Sequence, residues 1–212
     1  MLLNKYYKDI ADLFLSNVKS NKQEYNIMNG NMEKLPAYGH DIGNYVARYG
    51  MGNYQIQTIM KLNGRLDYNR LKKAVRLSIE AEPVLGCQFV EHDPPYWKRM
   101  EDIDITRFCS YEETSNANEA INRFLESHFD MDCDPMVKVK LIRTDSIDII
   151  GIKLNHTCTD GGGVKEYIRL LSRIYSKIKD KNANYYVKPS VRSRRDHEKA
   201  LKTLGIKYPL AD

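Results

Sequence analysis

The stretch IDIIGIKLNHTCTDGGGVKEYIRLL, residues 147–171, decides the fold predicted for this chain of 212 residues. Its first part, Ile147–Leu154, is apolar enough to be a strand in the interior of a sheet. From Val164 onward, apolar residues recur at helical spacing. Between the two lies the glycine-rich segment Asn155–Gly163. The sequence therefore predicts a buried strand that turns into a helix, with a polar segment at the turn.

Upstream of this stretch, the apolar pattern predicts two strands and a helix. Residues 54–62 alternate between apolar and polar side chains, as a half-buried strand does. Asp67 can cap a helix that ends before Pro83, and Leu85–Glu91 then resumes as a strand. One face of this helix is formed by Leu71, Ala74, Val75 and Ile79.

A further helix and a hairpin complete the predicted domain. Asn116, with Glu119 three residues later, has the spacing of a capping box at the start of a helix. Val137–Leu141 alternates with lysines and is joined by a short connection to the apolar strand at 147–154. The order is strand, helix, strand, helix, hairpin, helix. We therefore expect an α+β fold, a largely antiparallel sheet with helices packed on one face.

Three segments are expected along the chain. Residues 1–34 contain an amphipathic helix over residues 2–18 and a connection, residues 35–180 form the main domain, and residues 181–212 form a basic tail. Such a tail is either solvated or binds phosphate or an acidic partner. Its positive charges are Lys188, Arg192, Arg194, Arg195, Lys199 and Lys202.

The composition is that of a soluble globular protein, with 42% hydrophobic and 29% charged residues. A net charge of +5 gives little support to nucleic-acid binding. No apolar run is long enough to cross a bilayer or to serve as a signal peptide. The four cysteines are widely spaced and form no CxxC pair. We therefore expect a soluble protein in a reducing cytoplasm.

The segment between the strand and the helix carries the candidate chemistry. His156 can act as a general base near neutral pH, with Asp160 four residues later and three glycines that let another molecule approach the backbone. A structural histidine, or a turn that binds an anion through free N–H groups, would give the same pattern. The segment is not a P-loop, because no Lys-Ser/Thr pair follows the glycines. No metal site is expected, because the other histidines lack ligand spacing.

Two further residues in this region have structural interpretations. Trp97, beside Tyr96, is expected to be a core aromatic residue on a strand. Cys158 lies inside the segment without a neighbour that would activate its thiol, and we expect it to be a small buried side chain.

The pattern His156-x-x-x-Asp160-Gly161 resembles the signature of the acyltransferases that include condensation domains and chloramphenicol acetyltransferases. Three other segments resemble the same family in the same order: Leu62–Asp67, Glu82–Leu85 and Phe129–Met136. The resemblance covers residues 35–180 and implies a chloramphenicol acetyltransferase-like lobe.

In that family, the motif histidine lies in a channel between two similar lobes. There an acyl thioester, on coenzyme A or on a phosphopantetheinyl carrier protein, meets an amine or an alcohol, and no cofactor stays bound. The resemblance implies that His156 accepts the proton of the nucleophile and that Asp160 holds the loop through an ion pair. Gly161 would allow a tight turn, while Gly162 and Gly163 would let the pantetheine arm pass.

The sequence departs from the family in three places. Asn155 stands where condensation domains usually have the first of two adjacent histidines, and we expect it beside the substrate. Gly86 follows Pro-x-Leu where the family often has an arginine, so that an ion-pair partner is expected to be missing. After the helix at 164–178, about thirty residues remain, too few for a second lobe. We therefore expect an N-terminal lobe that needs a second lobe or subunit; the alternative is a non-catalytic module that binds a carrier protein or a partner lobe.

Overall fold

The computed structural model describes residues 34–178, apart from residues 53, 102–103 and 132 and the side chains of residues 51, 105 and 107. The helix predicted over residues 2–18 and the basic tail lie outside these residues. All described residues belong to one of the two compact units of the chain, Glu33–Ser190. The elements are β1 (Lys34–Pro36), α1 (Gly39–Met51), β2 (Gln55–Leu62), α2 (Tyr68–Ala81), a 3-10 turn (Pro83–Gly86), β3 (Cys87–Val90), β4 (Tyr96–Arg99), α3 (Ile105–Phe108), β5 (Cys109–Glu113), α4 (Ala117–Glu126), β6 (Val137–Arg143), β7 (Asp148–Asn155) and α5 (Gly161–Lys177).

The main sheet has four strands in the order β2-β7-β6-β5. β7 pairs antiparallel with both of its neighbours, while β5 runs parallel to β6. Every residue of β7 is buried. This explains why its sequence is nearly continuous in apolar residues, since an interior strand covered on both faces has no solvent side.

One face of β7 contributes to the larger core of the domain. Ile150, Ile152 and Leu154 belong to the same cluster of buried side chains as α2 and α5. Both of these helices have the apolar faces that the sequence predicted, and Asp67 caps α2 by accepting a hydrogen bond from Arg70 N at 3.0 Å. Helix α5 begins three residues before the predicted start at Val164, because the three glycines form its first turn. The α+β class and the largely antiparallel sheet are thus confirmed.

The opposite face of β7 is covered by α4, which adds a correction to the predicted arrangement of helices on one face only. Ile149 packs with Ile142 and with Ala120 of α4. Gly151 approaches α4 so closely that a Cβ atom there would lie 2.6 Å from the ring of Phe124. The second face is therefore apolar as well, and a helix has to exclude water from it.

Two buried charged side chains lie on β7. Asp148, at its first residue, accepts hydrogen bonds from Arg65 Nη1, Arg143 Nε and Nη2, and Leu66 N at 2.7–2.9 Å. The hydrogen bonds from Arg143, more than any other contact, hold the pKa of this carboxyl well below its usual range. These contacts tie the loop after β2 to the β6–β7 hairpin.

The second buried charge is Lys153, in the half of β7 that leads to the motif. Its Nζ donates to the carbonyl oxygens of Phe124 and Ser127 and to the hydroxyl of Ser127, at the C-terminal end of α4. An ammonium group is favourable there, because the last carbonyls of a helix carry partial negative charge. Burial lowers the pKa of Lys153 to about 8.

A smaller antiparallel sheet has the order β1-β4-β3. Trp97 on β4 is fully buried, as expected, and its Nε1 donates to Asp41 Oδ2 at 3.2 Å, at the start of α1. The strand predicted over Leu85–Glu91 is shorter, because the 3-10 turn extends through Gly86. Helix α1 was not predicted from the sequence.

Other expectations concern cysteines, membranes and metals. None of the four cysteines, which all lie among the described residues, forms a disulfide, and Cys158 is buried as expected. No helix among the residues described by the structure is long and apolar enough to cross a membrane. The same residues contain no group of three or more His, Cys, Asp or Glu side chains that could hold a metal ion.

Candidate functional site

The segment Asn155–Gly163 forms the turn that joins β7 to α5. His156 N donates to Tyr54 O at 2.9 Å, which extends the pairing of β7 with β2 past the end of both strands. The N–H and thiol of Cys158 both donate to Asn155 O, at 3.2 and 3.1 Å, and close the turn. The chain then enters α5 directly.

Asp160 is the N-cap of α5. Its Oδ1 accepts a hydrogen bond from Gly163 N at 2.7 Å. The pKa of this carboxyl lies below its usual range because of that bond first, with further contributions from the N–H of Gly162 and from nearby His40. The carboxylate thus occupies the N–H groups that a bound anion would use, which argues against the anion-binding interpretation of the turn.

The ion pair expected for Asp160 is not among those formed by the described residues. Gly86, where the family often has an arginine, is closely surrounded. A Cβ atom there would lie 2.5 Å from Ile79 Cγ2 and 3.3 Å from Arg99 Nη1. Arg99, from β4, donates to the carbonyl oxygens of Ile79 and Pro83 instead. Among the described residues, Asp160 is held in place as the cap of α5, and its ion pair stays a prediction.

The three glycines form the first turn of α5 and none of them has a left-handed φ. A Cβ atom on Gly163 would lie 1.9 Å from Thr159 Oγ1, and one on Gly162 would lie 3.1 Å from Asp160 Oδ1. A Cβ atom on Gly161 would meet nothing within 4 Å. The closest contact of the three is therefore at Gly163, with a side-chain hydroxyl, while the surroundings of Gly161 leave room for a side chain.

The ring of His156 is half-buried at this turn and is held from two sides. On one side, it stacks on Tyr54 with ring centroids 4.5 Å apart and an angle of 11° between the planes. On the other side, Asn44 of α1 places its Nδ2 3.3 Å from Nδ1 of His156 and 3.0 Å from its carbonyl oxygen. The ring of His40 lies 6.3 Å away, and its Nε2 is 3.0 Å from the same Nδ2 atom.

Tyr54, Asn44 and His40 belong to this site although no pattern in the sequence predicted them there. Asn44 and His156 are 112 residues apart in the chain, so that only the tertiary fold brings them together. One local signal was available, because residues four apart on a helix, such as His40 and Asn44, lie on the same side.

Asn155, expected beside the substrate, is buried. Its Oδ1 accepts from Thr157 N at 2.9 Å and its Nδ2 lies 2.8 Å from Met131 Sδ. Its side chain thus holds the turn in shape. It also borders an open pocket of about 270 Å³ next to the stacked pair of Tyr54 and His156. The pocket is lined by Arg48, Tyr49, Gly52, Tyr54, Met131, Asn155 and Thr157.

The charged wall of this pocket is Arg48. Its guanidinium lies over the rings of Tyr45 and Tyr49, 3.9 and 4.6 Å from their centroids. Glu91 accepts from Arg48 Nη2 at 3.1 Å and from the Tyr45 hydroxyl at 2.6 Å. The hydrogen bond from Tyr45 first, then that from Tyr49 and the charge of Arg48, lower the pKa of Glu91. The wall therefore carries a cation whose charge is largely balanced, between flat aromatic surfaces.

A half-exposed imidazole held in this way can exchange a proton with a molecule beside it. Whether it does so in catalysis depends on which reactive groups reach it. The residues that the motif brings together, His156, Asp160 and the glycines, form one turn, while Tyr54 and Asn44 come from β2 and α1.

Comparison with known families gives one match, the model described as "Condensation domain", which covers residues 50–195. Bacitracin synthase 3 of Bacillus licheniformis is 23% identical over 176 residues, which are 82% of this chain and 3% of that protein.

Two solved structures illustrate the shared fold. The first condensation domain of the calcium-dependent antibiotic synthetase, in complex with a substrate analogue, superposes with a TM-score of 0.63 and 14% identity, over 83% of this chain and 46% of that one. The X-domain in its complex with OxyB, from teicoplanin biosynthesis, superposes with a TM-score of 0.58 and 14% identity, over 69% of this chain and 33% of the other. This chain therefore spans less than half of either solved chain.

Proposed function

Because the chain belongs to the condensation-domain family, we propose that it forms one lobe of an enzyme that transfers an acyl group from a thioester to an amine or alcohol. The observation that carries this proposal is the position of His156. It matches the family motif, follows a fully buried strand and keeps a half-buried ring, while its stacking partner Tyr54 and its chain neighbours Asn155 and Thr157 line an open pocket.

In the proposed reaction, His156 accepts the proton of the nucleophilic amine or alcohol as the nucleophile attacks the thioester carbonyl carbon. The new C–N or C–O bond forms a tetrahedral intermediate with the negative charge on oxygen. The C–S bond then breaks, the carbonyl is restored, and the leaving thiolate takes the proton from His156. The atoms and electrons of this reaction balance without a cofactor, metal or oxidant.

Two groups support the base in this proposal without taking part in the bond changes. Asp160 fixes the start of α5, and Tyr54 restricts the imidazole to one plane. A base held in one orientation loses less entropy on reaching the transition state than a freely rotating one. Gly162 and Gly163 remain the proposed passage of a pantetheine arm, and Asn155 a neighbour of the substrate.

The proposed donor is acyl-coenzyme A or a phosphopantetheinyl carrier protein. The proposed partner is a second lobe or subunit that completes the channel, which is consistent with the 46% coverage of the solved condensation domain.

The test is replacement of His156 by alanine in the complete, two-lobed protein, with acyl transfer from pantetheine thioesters to amines and alcohols as the assay. We expect kcat/KM to fall at least about 100-fold, the usual contribution of a general base. His128→Ala, which removes an exposed histidine outside the motif, is the matched control and should retain activity within about twofold. Both variants should unfold at the wild-type temperature. Activity of His156→Ala within a few-fold of wild type would exclude the proposed role.

A second candidate function is a non-catalytic module that binds a carrier protein or partner lobe. It is favoured by Asn155 in place of the first histidine and by the fold shared with an X-domain whose structure is a complex with another protein. Titration with a pantetheinylated carrier protein separates the two candidates. Saturable binding without turnover of any thioester would support the module, whereas turnover would support the enzyme.

A further inference from the structure

The positive charge of the chain is concentrated in two helices, α2 and α5. Together they contain eight cations and two anions, a net charge of +6 (8 − 2), whereas the whole chain has a net charge of only +5. Helices α1 and α4 have net charges of 0 and −1. The eight cations are Arg70, Lys72, Lys73, Arg76, Lys165, Arg169, Arg173 and Lys177. The excess of positive charge is therefore a property of this one helical layer.

The two helices lie side by side and run antiparallel. Ser78 Oγ, near the end of α2, is 3.1 Å from the hydroxyl of Tyr167, near the start of α5. At the other end, Asp67 N, just before α2, donates to the hydroxyl of Tyr175 at 2.9 Å. The guanidinium of Arg70 lies over the ring of Tyr175, 4.6 Å from its centroid. The solvent sides of α2 and α5 thus form one surface, which we call the basic face.

The cations of α5 form a straight stripe on this face. Lys165, Arg169, Arg173 and Lys177 follow one another at intervals of four residues, and all four are exposed. At a rise of about 1.5 Å per residue, the stripe is about 18 Å long and has a positive charge about every 6 Å. Like charges four residues apart are neighbours on a helix and destabilise it. A partner that supplies negative charge would relieve this repulsion.

The fold itself neutralises only part of the stripe. Arg169 Nη1 pairs with Glu166 at 2.5 Å. In the part of the chain that the structure describes, Lys165 and Arg173 form no ion pair. Charge at these two positions is therefore available to another molecule.

We infer that the basic face binds an acidic α-helix of another protein. Carboxylates at every fourth residue of such a helix repeat at the same interval of about 6 Å, so that they meet the cations of α5 one by one. Matched charges of this kind guide two proteins together and fix the register in which they bind. This surface goes beyond the proposed function, because it needs no catalysis by His156.

Two anions within the basic face favour a protein over a nucleic acid or a membrane. Glu166 and Glu80 lie among the cations, paired with Arg169 and Arg76. A protein can place a cation of its own opposite each carboxylate, whereas a nucleic-acid backbone offers only phosphates. Helices that bind membranes insert large apolar side chains. Among the described residues, the exposed large hydrophobic side chains are on α1 and β5, and neither is on α2 or α5.

The probe for this surface is a fluorescently labelled, alanine-rich peptide with a glutamate at every fourth position. A length of about 20 residues lets it form a helix in water. The control peptide has the same composition, with its glutamates spread around the helix. Fluorescence anisotropy measures the binding of both to the full chain. We expect the first peptide to bind at least about fivefold more tightly, and its binding to weaken about tenfold when salt is raised from about 50 to about 300 mM.

Charge-reversal variants locate the binding surface. Arg173→Glu, in the stripe, should weaken binding of the first peptide about tenfold. Lys61→Glu is the matched control, because it makes the same change of net charge at an exposed position on β2, and it should bind within about twofold of the wild type. Arg173→Gln removes the charge without adding another and should weaken binding about threefold, which keeps the test open if Arg173→Glu does not fold. Circular dichroism checks the folding of each variant.

Four results would overturn the inference. The two peptides bind equally, neither binds at low salt, or Lys61→Glu weakens binding as much as Arg173→Glu does. The fourth is that a short duplex DNA, or vesicles containing phosphatidylserine, bind more tightly than the first peptide and lose that binding in Arg173→Glu. His156→Ala should bind the peptide like the wild type, so that failure of the proposed catalysis and failure of this binding surface are observed separately.

Discussion

The two ends of β7 hold polar side chains in opposite ways. At the first residue, Asp148 is fully buried and both of its oxygens are paired with arginines or with a backbone N–H. Just past the last residue, His156 is half-exposed and shares the amide nitrogen of Asn44 with His40. One end of the strand has all of its hydrogen bonds satisfied, and the other end does not.

This difference separates stability from function within one strand. A saturated buried carboxylate has no capacity left for a ligand, and removing it leaves arginines without their partner. An imidazole with an unused hydrogen-bonding capacity contributes little to folding but can pair with an incoming molecule. We therefore expect replacements at the Asp148 end to change the free energy of unfolding, and replacements at the His156 end to change chemistry.

The largest effect on stability is expected for Asp148→Asn, which keeps the shape and removes the charge. We expect the free energy of unfolding at pH 7 to fall by about 3 kcal/mol, since the change breaks a buried ion pair. Urea unfolding measures this loss. Asp145→Asn is the control in the same hairpin, because the side chain of Asp145 is exposed and only its backbone oxygen bonds Arg65.

The lowered pKa of Asp148 also predicts how its contribution to stability changes with pH. The pKa of Asp148 is lowered on folding, so that its contribution is present above the ordinary carboxyl value of about 4 and is lost as the pH falls below that value. The difference between wild type and Asp148→Asn should therefore shrink in acid. An equal loss for Asp145→Asn would contradict the special place given to the buried carboxylate.

Much of this fold could be predicted because its signals are local. Asp67 and Asn116 each precede a helix whose apolar residues repeat at helical spacing, and the structure confirms both as caps. The small sheet gave a weak signal, since β1 has only three residues. Helix α1 was missed because Gly39, Gly43 and Gly50 interrupt its apolar pattern, as glycine is a poor helix former.

The residues of the candidate site also fall into those with a local sequence signal and those without one. His156 and Asp160 lie in one turn, and their spacing is visible in the sequence. Asn44 and Tyr54 reach His156 only through the packing of α1 and β2 against the end of β7, and no local pattern encodes such a contact. Asp148 falls within the segment predicted as an apolar strand. Its contacts with Arg65 and Leu66 were not predicted, because these partners are more than eighty residues away in the chain.

Lys153, between the two ends, tests whether a buried charge that is held by helix carbonyls behaves like Asp148. Its pKa is lowered to about 8 by burial, whereas an unfolded lysine titrates near 10.4. Between these values, the unfolded chain binds more protons than the folded one, so that stability rises with pH. We expect the free energy of unfolding to increase by about 2 kcal/mol between pH 7 and 9.5 relative to Lys153→Met. The control is Lys61→Met, at an exposed position on β2, in which the free energy of unfolding should rise with pH as in the wild type. If the free energy of unfolding of Lys153→Met rose by the same amount, another group would be the cause.

The smallest effect is expected at Asp160, where the motif end of β7 meets α5. Because the carboxylate acts as an N-cap, Asp160→Ala should cost about 1 kcal/mol, whereas Asp160→Asn, whose side-chain oxygen can still accept from Gly163 N, should cost only a few tenths. If Asp160 acted through an ion pair instead, alanine and asparagine would be equally costly, because both replacements remove the charge. Thermal unfolding of the two variants at pH 7 decides between a cap and an ion pair.

Because the pKa of Asp160 is lowered, the loss of stability in Asp160→Ala should also depend on pH. It should fade below about pH 4, where the wild-type carboxyl takes up its proton and caps less well. If alanine and asparagine prove equally costly, the aspartate of the motif holds its loop by charge, and the His156 end of the strand is more like the Asp148 end than the hydrogen bonds indicate.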